Sequence, residues 1–156
     1  MTATSAPTPS TWGRTTIARL AGGLHLAYIL ANVLASLVGH IGLGDARTLR
    51  ETIADHEVMF RVGLVAALAS GLLFVLTAWA LDVLLRPVNE PLALLLLALN
   101  AVGVAIQCVS YLTLSTVLAQ SEGTVGTNEL TGSQLDSLAM LWINTYRTGF
   151  VTAQLF

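Results

Sequence analysis

Four stretches of the chain run almost without charged side chains, at about residues 17–41, 58–85, 92–118 and 138–156. A helix of about 18 or more apolar residues crosses the ~30 Å hydrocarbon core of a bilayer. The pattern therefore predicts an all-α fold, a polytopic transmembrane bundle of four helices within residues 14–156. Residues 1–13 are rich in Thr, Ser and Pro and predict a disordered tail, with too little apolar surface to bury. Trp12, Arg14 and Arg19 provide the mix found where a helix enters the headgroup region. The apolar run continues past Val33-Leu34-Ala35, a possible cleavage site, which favours a retained helix over a removed leader.

The connections differ in character. The first, residues 42–57, places Ala46, Leu49 and Ile53 at helical spacing, with Asp45 ready to cap and Arg47 four residues before Glu51. That predicts a short amphipathic helix on the membrane surface. The second, residues 86–91, is brief and holds Pro87 and Pro91, so the flanking helices form an antiparallel hairpin. The third, residues 119–137, is acidic, rich in Gly, Ser and Thr, and without arginine, and predicts an exposed loop. Arg14, Arg19 and Arg86 share one side of this topology, which predicts a cytoplasmic N-terminus and an outside third connection, in a multi-pass protein of the inner (plasma) membrane.

Composition agrees with that picture. The chain is 54% hydrophobic and 10% charged, whereas a soluble domain carries about a quarter charged residues. A net charge of −2 and the lack of a basic patch exclude nucleic acid as a partner. The lipid bilayer is the expected partner, with a second copy or another membrane protein as the further one. Cys108 is the single cysteine, so no internal disulfide forms. No GxSxG, HExxH, CxxC or P-loop pattern occurs, which leans against an enzyme.

Polar residues inside the apolar stretches are the candidates for function. His25, Tyr28, Asn32 and Ser36 recur every three or four residues on one face of the first stretch. Asn100, Gly103, Gln107 and Tyr111 do the same in the third, and Ser70 and Thr77 lie in the second. Counted from the end shared by Arg19, Arg86 and Pro91, Tyr28, Thr77 and Asn100 lie at one depth, about 13 Å in. His25, Tyr28, Asn32, Thr77, Asn100 and Gln107 thus form a candidate intramembrane polar layer. Such a layer serves either as hydrogen-bonded glue between helices or as a small-molecule or proton site.

Arg147 is the candidate intramembrane charge, with no acid three or four residues away. It faces the bundle or snorkels to the interface. No cofactor is expected. Haem would need two histidines at similar depth on different helices, and His25, His40 and His56 do not offer that. Asp55-His56-Glu57 lacks metal-ligand spacing and reads as a solvated helix start, so no metal is expected. Glu57 with Arg61 and Asp82 with Arg86 stand four apart, acid first, and predict local ion pairs.

Arg19-Leu20-Ala21-Gly22-Gly23-Leu24, Met59-Phe60-Arg61-Val62-Gly63, Val83-Leu84-Leu85-Arg86-Pro87-Val88-Asn89 and Gly149-Phe150 resemble, in order and spacing, the bacterial membrane family of domain of unknown function 4386. The resemblance covers most of residues 17–156. It implies a membrane location, a helical architecture, and a family bundle that continues for one or two further helices. It implies no activity, because the family has none established. The chain departs at Tyr146, where the family pattern prefers histidine, so no role of that histidine is carried over. The expected function is that of an integral membrane protein acting through helix contacts, structural or regulatory. The alternatives are a carrier or binder of a small apolar or weakly polar molecule and a haem-holding oxidoreductase subunit.

Overall fold

The computed structural model describes residues 13–42, 46–121 and 131–155. Five helices lie among them: α1 (Arg14–Gly39), α2 (Ala46–Asp55), α3 (Glu57–Leu85), α4 (Glu90–Ser121) and α5 (Gly132–Ala153). No strand occurs among the described residues. The fold is all-α, and α1, α3 and α4 are long and apolar enough to cross a membrane. The tail ahead of Trp12, the Asp45 cap, the Arg47 side chain and residues 122–130 lie outside the described residues.

The fourth apolar stretch forms α5, which begins six residues earlier than the apolar pattern, at Gly132. Thr131 explains the early start. Its backbone N–H donates to Gln134 Oε1 at 2.9 Å, and its side chain meets the backbone there, forming a capping box. Gln134, Asp136, Asn144 and Arg147 dilute this helix, and it is not among the three with the length and hydropathy of a span.

Packing runs in the order α1, α3, α4, α5, each helix antiparallel to the one before it, with α1 on α3 the most extensive contact. Small side chains set the closeness of α1 and α3. A Cβ added at Gly39 would lie 2.8 Å from Gly63 Cα, so the two backbones touch. Ala35 and Ala67 extend that seam, both buried. Without a hydrophobic force between helices in lipid, such van der Waals contact is what holds them together.

The α3–α4 turn is short because both helices end well. Pro87 follows the C-cap Arg86, and Asn89 Oδ1 accepts from the Leu92 backbone N–H at 3.1 Å. Asn89 is therefore the N-cap of α4, and Pro91 sits where no donor is required.

The amphipathic helix predicted in the first connection is α2, and it lies across one end of the bundle. Leu49, Thr52 and Ile53 are buried there, against α3, α4 and α5. His40 turns the chain out of α1 in the left-handed conformation, with φ 51°, and Gly42 follows with φ 148°. Thr52 Oγ1 lies 2.9 Å from His40 Nδ1 and donates to Thr48 O, which ties α2 to that turn.

Candidate functional site

The polar layer resolves into side chains that bond to their own helices. Asn32 Nδ2 donates to Tyr28 O at 3.3 Å, Thr77 Oγ1 to Leu73 O at 2.8 Å, and Asn100 Nδ2 to Leu96 O at 2.7 Å. Thr77 is buried, whereas Tyr28, Asn32 and Asn100 are half-buried. Tyr28 packs its ring on Phe74 of α3 at 4.9 Å between centroids, and His25 packs on Tyr28 at 5.6 Å while remaining exposed. α1 and α4 both pack on α3 and make no extensive contact with each other. Tyr28 and Asn100 therefore belong to two separate helix interfaces of α3.

Gln107 belongs to a different group. Its Nε2 donates to the Tyr111 hydroxyl at 2.6 Å within α4. The Tyr111 ring stacks on Tyr146 of α5 at 5.9 Å, and Tyr146 meets Phe150 at 5.8 Å. The Tyr146 hydroxyl donates to Gly42 O at 3.5 Å, at the outer limit of a hydrogen bond. This aromatic group joins α4, α5 and the α1–α2 turn, and Tyr146 is fully enclosed. Arg147, its neighbour, is half-buried and lies six residues before the end of α5, about 9 Å along the axis. Ser110 of α4 faces Gly149 of α5 so closely that a Cβ at Gly149 would collide with its hydroxyl.

The opposite end of the bundle holds a group of charges beside apolar side chains. Arg86 Nη2 pairs with Asp82 Oδ2 at 2.6 Å. The pair was legible as two residues four apart, but its setting was not. The Asp82 side chain is only 1% exposed, and its Oδ1 has no hydrogen-bond partner. Arg86 remains half exposed. Trp79, Asp82, Val83 and Arg86 fall at one-turn spacing on α3 and, with Pro87 and Glu90, line an open recess of about 380 Å³. On the hairpin's other side Leu85, Val88, Leu92, Leu95, Leu96 and Leu99 help line an apolar recess of about 360 Å³. Glu57 and Arg61 form the other predicted ion pair, at 2.7 Å and exposed on both partners.

Sequence reasoning missed three features. Asn89 caps α4, and the asparagine just before Glu90-Pro91 was the signal for it. Tyr146 is a core side chain, visible only once the register of α5 on α4 is known. Asp82 is buried, and its position four residues after Ala78 on the small-residue face of α3 was the available signal.

His25 lies on α1, His40 just after it, and His56 between α2 and α3. Among the described residues no group of three or more His, Cys, Asp or Glu side chains is placed to hold a metal. A family model described as domain of unknown function (DUF4386) matches residues 20–156. No curated protein matches the chain, and no solved structure does.

Proposed function

The chain belongs to the family of domain of unknown function 4386, and from that membership we propose an integral membrane protein that works through helix contacts, structural or regulatory. One observation carries this reading. The amides of Asn32 and Asn100 and the hydroxyl of Thr77 bond to carbonyls of their own helices, while α1 turns an unbroken apolar stripe outward. That stripe is Leu26, Leu30, Val33 and Leu37, all exposed and spaced by three or four residues. Beside the close α1–α3 seam it offers a flat helix face to lipid or to another helix. The proposed site is the plasma membrane, with the N-terminus cytoplasmic, because Arg14, Arg19 and Arg86 lie at one end.

Two measurements test the reading. Dye-labelled protein in bilayers, counted by photobleaching as density rises, should form defined assemblies, or a second chain should copurify in mild detergent. Monomers at every density with no copurifying chain would overturn it. For the orientation, a cysteine at Gly123 should label with an impermeant maleimide in intact cells, and one at Val88 should not; the reverse pattern inverts the topology.

A carrier of a small apolar molecule is the second reading. The recess beside Leu92 and Leu96, about 360 Å³, supports it, since ligand sites range over about 300–1,000 Å³. Ligand-dependent thermal stabilisation in a screen of apolar compounds would favour it over the first.

A further inference from the structure

We infer that the recess between Trp79 and Glu90 is a seat for the headgroup of a phospholipid with a primary ammonium, an ethanolamine-type lipid. The argument starts from Asp82. Its carboxylate is enclosed, one oxygen takes Arg86, and the other has no donor. A buried carboxylate oxygen without a donor is costly, and that cost is removed by a group that brings hydrogens of its own. The recess that Asp82 lines also holds Arg86 and Glu90, so two acids and one base give it a net charge of −1. It therefore favours a cation, and Trp79 adds an aromatic face for one.

The rest of the recess fits the other half of a headgroup. Arg86 spends one donor on Asp82 and is half exposed, leaving further N–H groups for a phosphate. An ammonium two carbons from a phosphate matches acids placed beside an arginine. Trp79 and Val83 continue the same face of α3 toward the membrane interior, where the acyl region follows. A quaternary choline group carries the same charge but no N–H, so it cannot donate to Oδ1. The seat therefore separates ethanolamine from choline lipids by hydrogen bonding rather than by charge.

The test is native mass spectrometry of the purified full chain, titrated with phosphatidylethanolamine or phosphatidylcholine of equal acyl length. The ethanolamine lipid should bind about tenfold tighter, the ratio one charge-assisted hydrogen bond supplies. Asp82→Asn should remove that preference. Arg86→Gln should weaken both lipids alike, because both carry the phosphate. Glu90 is exposed and is the recess's other carboxylate acceptor for the ammonium, so Glu90→Gln leaves folding intact and, by weakening that acceptor, should reduce the preference about threefold even if Asp82→Asn disturbs the hairpin. Equal binding of the two lipids, or a preference that both Asp82→Asn and Glu90→Gln leave unchanged, overturns the inference. Soluble phosphoethanolamine should fail to displace the lipid; displacement at equal concentration would assign the recess to a water-borne ligand and overturn the lipid seat.

Discussion

At the end of the bundle covered by α2, Phe60, Leu114, Ile143 and Tyr146 are fully enclosed. At the other end, where α3 turns into α4, the fully enclosed large side chain is an acid, Asp82, beside open recesses. The first end draws on α2, α3, α4, α5 and the turn after α1, and its apolar residues form one cluster. At the second end the α3–α4 hairpin, with its four-residue turn, has the first part of α1 beside α3. The contrast teaches a division of labour. Packing stability is concentrated where several elements converge, whereas the end with the α3–α4 turn encloses a charged group, Asp82, beside recesses that water or headgroups reach.

The largest expected effect lies in the packed end. Tyr146→Ala removes an enclosed ring that touches Tyr111 and Phe150, and should cost about 3–5 kcal/mol in thermal or denaturant unfolding in detergent. Tyr146→Phe keeps the ring and loses only a 3.5 Å hydrogen bond, so it should cost about 1 kcal/mol or less. A Tyr146→Ala protein as stable as the parent would show that the cluster is not the stability centre.

Next comes the α1–α3 seam, which links the two ends. Gly63→Ala places a Cβ against the Gly39 backbone, which must move, and should cost about 1–3 kcal/mol. Gly22 has open space at the same atom, so Gly22→Ala should be neutral or slightly stabilising. Equal effects at the two glycines would mean that α1 and α3 do not touch where the structure places them.

At the hairpin end the expected effects fall. Asn89→Ala removes the cap of α4 and should cost about 1 kcal/mol by thermal unfolding. A loss as large as that of Tyr146→Ala would erase the contrast between the two ends.

What the sequence revealed follows the same physics. The apolar stretches were legible because a run of some twenty apolar residues has one dominant reading near a bilayer. α2 was legible because Leu49 and Ile53 repeat at helical spacing among charges. The Asp82–Arg86 pair was legible because four residues is one helical turn. The enclosure of Asp82 was not, since it depends on which helices flank α3 and on which sides. The same holds for Tyr146, which is enclosed because α5 and α4 bring two tyrosines together from distant parts of the chain. Depth along a helix can be counted from a sequence, which is how Tyr28, Thr77 and Asn100 came to share a level. The direction each faces around its helix depends on tertiary packing, and that count does not contain it.

The smallest expected effect tests that last point. Asn100 lies on α4 between the two ends, and its amide donates to Leu96 O of the same helix at 2.7 Å. A bond to a carbonyl already engaged in the helix ladder adds little, and polar contacts between membrane helices average about 0.6 kcal/mol even when they bridge two helices. Asn100→Leu should therefore change stability by about 0.6 kcal/mol or less, in either direction, by thermal unfolding in detergent. Thr77→Val should behave alike, because Thr77 also bonds to its own helix, at Leu73 O. The double variant should equal the sum of the two within a few tenths of a kcal/mol, the pattern of sites that do not share a partner. A loss above about 2 kcal/mol for Asn100→Leu, or a coupling above about 1 kcal/mol in the double variant, would show that the amide bridges α3 and α4 directly. The middle of the bundle would then be a polar junction in its own right, and the contrast between a packed end and a charged end would no longer describe the molecule.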